Sequence, residues 1–187
     1  MSRNIAMWGD SLTPQVAAGL RLLYADREIY NGGVNGETSG EIGGRHLADE
    51  THRDWINVFW YGHNNQTEAD QIRADIAASV AHLEPGNDRF VVMSVVNQAT
   101  SREVRGGTDY RGILALNESL AATYPQNYLD IRSYLVQQYD RDRPQDAADF
   151  ANDVVPSSLR YDHIHLLVEG SRVVSRRLKA FIDEKGW

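Results

Sequence analysis

Short apolar runs alternate along the chain with longer segments whose apolar residues recur every three or four positions. Ile5 to Trp8 is continuous enough to read as a buried strand. Pro14 to Tyr24 reads as an amphipathic helix, with Thr13 as its N-cap and Pro14 suited to the first helical position, where a missing N–H costs nothing. Arg27 to Tyr30 predicts a second short strand, followed by a Gly/Asn-rich turn from Asn31 to Gly36 and a helix from Glu37 to about Asp49, weakened by Gly40, Gly43 and Gly44. Trp55 to Tyr61 predicts a third strand. Ile72, Ile76, Val80 and Leu83 mark a helix over Glu68 to Leu83, and Pro85-Gly86-Asn87 a turn. Arg89 to Val96 is apolar without alternation, the pattern of a strand buried on both faces. A polar loop from Asn97 to Gly112 leads to a helix marked by Ile113, Leu116, Leu120 and Tyr124. Tyr128 to Ile131 predicts a short strand, Pro144 to Asn152 a brief helix and Val168 to Glu184 the closing helix.

Five strands separated by helices predict a parallel sheet with right-handed crossovers and helices on both faces. The 187 residues show no internal repeat or linker, so residues 1–187 read as a single α/β domain. In such a sheet, sites form beyond the carboxyl ends of the strands.

Charge narrows the partners. Nineteen Lys and Arg against 26 Asp and Glu leave a net charge of −7, which argues against nucleic acid or an anionic membrane. The absence of cysteine removes disulfides, thiolate metal sites and cysteine nucleophiles. No apolar run has the roughly 18 residues of a membrane span, so no stable membrane insertion is expected. The apolar stretch Ile5 to Trp8 is too short for a signal-peptide core, so the sequence as written reads as cytoplasmic, and as exported only if a signal was removed.

The strand ends carry the candidate chemistry. Asp10 and Ser11 follow the first strand, in a tight strand-to-helix turn after Gly9. Asn35-Gly36-Glu37 follows the second strand, Gly62-His63-Asn64-Asn65 the third and Asn97-Gln98 the fourth. Asp162-His163-Ile164-His165 precedes the last helix. Acyl transfer by serine needs a nucleophile, a base, a group that orients the base and donors for the oxyanion. Ser11 can serve as nucleophile and His165 as base. Asp162, three residues before His165, can hold its other ring nitrogen. The Ser11 N–H, the Gly36 N–H and the Asn64 amide can form an oxyanion hole. Asp10, His63 and Asn97 are candidates for the substrate pocket, Asp10 also for bracing the turn.

In these residues the chain resembles the SGNH hydrolases, also called the GDSL esterase/lipase family. Four blocks occur in order over nearly the whole chain: Gly9-Asp10-Ser11-Leu12, the glycine block with Gly36, Gly62-His63-Asn64, and Asp162-His163-Ile164-His165. The resemblance implies a three-layer α/β/α sandwich with a flavodoxin-like five-stranded parallel sheet. It also implies ester hydrolysis through an acyl-serine, with no metal or cofactor. The third block departs from the family's usual Gly-x-Asn-Asp by carrying Asn65. The family register makes His165 the base and leaves His163 as a neighbour or surface residue. An α/β-hydrolase would need a Gly-x-Ser-x-Gly elbow, and the sequence has none.

His46, His52 and His82 have no partners at ligand spacing, so no metal site is expected. The acidic run from Asp140 to Asp153 reads as a solvated face. Arg102, Arg105 and Arg111 can meet an anionic substrate but read mainly as solvated loop charges. Loops rich in Asn, Gln, His and Arg, with no long apolar segment, favour a short acyl group on a polar alcohol such as a sugar. The alternatives are a lysophospholipase, thioesterase or arylesterase of the same family, an acyltransferase, or a non-catalytic carbohydrate-binding protein.

Overall fold

The strands lie side by side in the order β2-β1-β3-β4-β5, all parallel, in a computed structural model that describes residues 1–187. They are β1 (Ile5–Gly9), β2 (Ile29–Gly33), β3 (Ile56–Trp60), β4 (Phe90–Met93) and β5 (Tyr128–Leu129). The helices are α1 (Thr13–Leu23), α2 (Ser39–Leu47), α3 (Ala69–His82), α4 (Tyr110–Thr123), α5 (Ile131–Val136), α6 (Pro144–Ala151) and α7 (Val168–Glu184). No helix is long and apolar enough to cross a membrane.

Alternation along each strand builds the two cores. Ile5, Met7, Ile56, Val58, Trp60, Val91 and Met93 point to one face, where they meet Val16 and Leu20 of α1, Leu135 of α5 and Val174 and Leu178 of α7. Ala6, Trp8, Phe59, Phe90 and Val92 point to the other, against Ile42 of α2, Ile72 and Ile76 of α3 and Leu116 of α4. Each fully buried Ile, Leu or Val contributes about 1.5–3 kcal/mol, so both helical layers are held by the apolar pattern of the strands. The expected α/β/α sandwich is the observed one.

Several boundaries differ from the sequence reading, each for a packing reason. β2 continues through Asn31-Gly32-Gly33, which composition marked as a turn. A Cβ on Gly33 would lie 2.7 Å from both Thr13 Cβ and Pro14 Cδ, so this glycine lets β2 approach the start of α1, while a Cβ on Gly32 would lie 2.7 Å from the Met7 carbonyl of β1. β4 ends at Met93, although the apolar run continues to Val96. There the backbone leaves the sheet: Val95 N–H donates to Asn117 Oδ1 (2.8 Å) and Val96 N–H to His63 Nε2 (3.2 Å). β5 ends at Leu129, and Ile131, expected to close that strand, instead opens α5, whose remaining residues 132–136 are unassigned by pattern; Asp130 starts the helix by accepting the Ser133 N–H. Thr13 does not cap α1. The helix has no side-chain cap; Asp10 instead braces the turn before it, its Oδ1 accepting the Leu12 N–H at 3.0 Å and its carbonyl the Thr13 N–H at 3.1 Å.

The acidic run is a solvated face only in part: Asp140 and Asp142 are exposed, but two of its aspartates turn inward. Asp146 and Asp149 are buried, at 1% and 4% exposure. Asp146 accepts the Ser157 hydroxyl and both the N–H and hydroxyl of Ser158; Asp149 accepts the Ser157 N–H at 2.7 Å and pairs with Arg160 at 3.0 Å. Burial raises the Asp146 carboxyl, but the serine hydrogen bonds outweigh it and hold the group below the usual carboxylate range. The three histidines of the middle region join an aromatic cluster: His46 packs edge-on against Trp8, Phe59 and His82, and His52 stacks on Tyr30. Burial, then repulsion from His82, lowers His46 to about 4.

Candidate active site

Ser11 stands where β1 ends and α1 begins, and the turn carrying it is fixed by Asp10. Besides capping the turn, Asp10 receives His63 Nδ1 on Oδ2 at 3.1 Å and is 1% exposed. The Val96 N–H can only donate, so His63 Nε2 is its acceptor and Nδ1 is the nitrogen that donates to Asp10. Asp10 and His63 thus tie β1, β3 and the chain after β4 together beneath Ser11.

His165 and Asp162 are brought to Ser11 by the loop before α7. His165 Nε2 lies 2.9 Å from Ser11 Oγ, and Nδ1 lies 2.7 Å from Asp162 Oδ2. Asp162 Oδ1 accepts the backbone N–H groups of Ile164 (2.8 Å) and His165 (2.7 Å). Partial burial raises the Asp162 carboxyl. The two backbone N–H groups and the His165 ring outweigh that and bring it to about 2. The carboxylate is therefore ionised across the neutral range and holds the ring with Nε2 facing the hydroxyl. Such a chain can accept the Ser11 proton. Tyr161 lies parallel to the His165 ring, their centroids 5.6 Å apart, and His163 points to solvent.

The oxyanion candidates differ in how free they are. The N–H groups of Ser11 and Gly36 make no hydrogen bond within the chain. Gly36 has φ +80, a left-handed conformation that glycine adopts without strain. The Asn64 amide is exposed and donates to the Glu37 carbonyl at 2.9 Å and, weakly, to Asp10 Oδ2 at 3.4 Å. Asn65, in the place of the family's acid, keeps an acid's acceptor role: its Oδ1 takes the Ser39 N–H (3.1 Å) at the start of α2. Its Nδ2 donates to Ser39 Oγ (3.0 Å) and Glu68 (3.1 Å), where a second carboxylate would be repelled.

Two of the expected pocket residues are interior braces, and the third is the turn cap. Asp10 and His63 are bonded as above. Asn97 is 1% exposed, donates to the carbonyls of Glu103 and Asp153, and accepts from Arg132 Nε at 2.9 Å. None of the three lines the open spaces beside the site. One space is a pocket of about 20 Å³ bordered by Ser11, Leu12, Gln15, Tyr161 and His165. Another is a groove of about 550 Å³ that includes Asn64, Thr38, Gln66, Gln98, Thr100 and Arg102 among its twelve lining residues, none of them hydrophobic. Arg102, a candidate anion contact, is committed to Asp109 through Nε at 2.8 Å and Nη2 at 3.2 Å. Arg105 donates to the Ala151 carbonyl.

Sequence reasoning missed the polar framework behind the loop. Arg132, 4% exposed, binds Asp153 through a 2.6 Å pair and also donates to its carbonyl. Asp153 is the non-glycine residue with positive φ, at 57°, and Tyr110 donates to the same carboxylate at 2.5 Å. Arg160 donates to the Val155 and Asp162 carbonyls. A buried arginine leaves no periodic signal, and its partners are distant in sequence.

No protein-family model matches the chain. The tail spike protein of Salmonella phage epsilon15 is 30% identical in an alignment 149 residues long that covers 73% of this chain and 14% of that protein; the chain thus spans about a seventh of the length of this relative. Among solved structures, a lipase/acylhydrolase from Enterococcus faecalis superposes with TM-score 0.71 at 14% identity, over 98% of this chain and 96% of that one. An acetyl xylan esterase, AlAXEase, superposes with TM-score 0.73 at 15% identity, over 95% and 98%. A protein assigned to the G-D-S-L lipolytic family from Desulfitobacterium hafniense gives TM-score 0.72 at 14% identity, over 95% and 98%.

Proposed function

Because this chain has the fold of the SGNH hydrolases, we propose that it is a serine esterase that removes a short acyl group, an acetyl, from a carbohydrate or other polar alcohol. The observation that carries the reading is the continuous hydrogen-bonded chain Ser11–His165–Asp162, with 2.9 Å and 2.7 Å contacts, set at the carboxyl end of β1. His165 Nε2 takes the Ser11 proton as Oγ bonds to the ester carbonyl carbon. The new oxyanion accepts the free N–H groups of Ser11 and Gly36, and the Asn64 hydrogen now spent on the long contact to Asp10. The tetrahedral species collapses, the C–O bond to the alcohol breaks, and His165 returns its proton to the leaving oxygen. Water then attacks the acyl-serine with His165 as base, releasing the acid and restoring Ser11 Oγ–H.

The substrate class rests on the two spaces. A pocket of about 20 Å³ is close to the size of one water, matching a methyl group rather than a fatty chain. The wholly polar groove that begins at Asn64 offers hydroxyl-bonding partners. Its three carboxylates, Glu68, Glu103 and Asp109, outnumber its single guanidinium, Arg102, which favours a neutral alcohol over an anionic one. The test is a chain-length series of p-nitrophenyl esters, followed by acetylated neutral and acidic saccharides. Acetyl is expected to be turned over faster than octanoyl, and neutral saccharides faster than acidic ones. A preference for octanoyl would overturn the acyl assignment.

Asn64→Ala is expected to lower kcat by about 10² to 10³, the cost of one oxyanion donor, with little change in KM. Steady-state kinetics on p-nitrophenyl acetate checks this; turnover within about threefold of wild type would remove Asn64 from the oxyanion hole.

A further inference from the structure

The loop that delivers Asp162 and His165 has a built base. Residues 160–166 form a closed loop, with an antiparallel bridge between Arg160 and Leu166, the Tyr161 N–H on the His165 carbonyl (3.0 Å) and the Leu167 N–H on the Leu159 carbonyl (2.8 Å). Arg160 lies at that base, and its guanidinium is divided among three partners. Nε donates to the Val155 carbonyl at 2.8 Å, Nη1 to the Asp162 carbonyl at 2.7 Å, and Nη2 pairs with Asp149 of α6 at 3.0 Å. The side chains of Arg160 and Asp149 are only 13% and 5% exposed. Asp149 is itself held by the Ser157 N–H and the Gln145 amide.

From this geometry we propose that Arg160, braced by Asp149, is a positioning residue for the acid–base pair. It grips the backbone of Asp162 so that the carboxylate meets His165 Nδ1 and Nε2 meets Ser11. The proposal rests on the esterase reading given above. Its physical basis is the fixed fork of the guanidinium, which can serve two carbonyls and a carboxylate in one plane; an ammonium at the same place keeps the charge but not the fork. A misplacement of about 1 Å at a reacting group is enough to cost about 10² in rate, and the Asp162 carbonyl is one residue's backbone away from the carboxylate that orients the base.

The test compares wild type, Arg160→Lys, and the double variant Arg160→Met with Asp149→Asn, which removes the buried pair without leaving an unpaired charge. Folding is checked by near-UV circular dichroism. Two readouts are taken: kcat and KM on p-nitrophenyl acetate across pH, and the far-downfield proton resonance of the His165–Asp162 hydrogen bond. Both variants are expected to fold. Each should lower kcat by about 10² with KM within about twofold, shift the acid limb of the pH profile, and weaken or broaden the downfield resonance. Full turnover per folded molecule in Arg160→Lys, with an unchanged resonance and pH profile, would overturn the proposal and leave the pair as a staple of α6. The resonance does not depend on turnover. If wild type hydrolysed no ester yet the resonance were lost in folded variants, the esterase reading would fail and the positioning role would stand.

Discussion

Ser11→Ala is expected to lower ester turnover by a factor on the order of 10⁴ to 10⁶, leaving a residual rate from binding and the oxyanion donors alone. No other hydroxyl lies within hydrogen-bonding distance of His165 Nε2, so nothing can substitute as nucleophile. The replacement removes one half-buried oxygen from a turn whose capping bonds come from Asp10, and so should leave the fold intact. The check is kcat on p-nitrophenyl acetate, together with intact mass after a serine-directed phosphonate: one adduct on wild type and none on the variant. Substantial turnover or labelling in Ser11→Ala would place the nucleophile elsewhere.

Asp162→Asn is expected to cost about 10⁴ in kcat, as in other serine triads, while changing the backbone little. The carboxamide oxygen can keep the two N–H groups of Ile164 and His165, now received by Oδ1. Its NH₂ then faces His165 Nδ1, and two donors cannot share that contact. The ring must place its proton on Nε2, which turns a donor toward Ser11 and removes the base. With the Asp162 carboxyl brought down to about 2, this aspartate stays ionised through the working range, so an acid limb of kcat/KM in wild type at about pH 4 or above should not report Asp162. The same depressed value adds stability that is complete above the unfolded value of about 3.9 and is lost as pH falls toward 2. A pH–rate profile and the kinetics of the Asn variant test the assignment. Retention of more than about a tenth of wild-type kcat would overturn it. His163→Ala, by contrast, should change little, because His163 points to solvent.

The parts of this protein that could be read directly are those whose signal is local. The helix Val168–Glu184 was legible to the residue, because its apolar positions Val174, Leu178 and Phe181 lie on one face. The order of strands and helices, and hence the parallel sheet, followed from alternating apolar runs. The four short blocks were each visible because chemistry at a strand end needs particular residue types in consecutive positions. The structure places all of these at one rim of the sheet.

The misreadings share a cause. Asn31-Gly32-Gly33 has the composition of a turn but is a strand, because glycine is demanded there by the nearness of Met7 and Trp8 to Gly32 and of Thr13 and Pro14 to Gly33, residues far back in the chain. Asp146 and Asp149 have the composition of a solvated face but are buried, because Ser157, Ser158 and Arg160 return to meet them. His63 and Asn97 have the chemistry of pocket residues but are consumed by hydrogen bonds within the interior, whereas Asp10 braces the turn, the other role its place in the sequence offered.

Residue order and type alone were sufficient for the layered α/β architecture and for the set of groups available for acyl transfer. Folding settled which groups meet: that His165 reaches Ser11 across 154 positions of sequence, that Asp149 and Arg160 stand behind Asp162, and that the open space is a small pocket beside a polar groove. The reason is physical. Periodicity and turn propensity act between residues a few positions apart, whereas a buried polar group must take whatever partner the packed chain brings within about 3 Å.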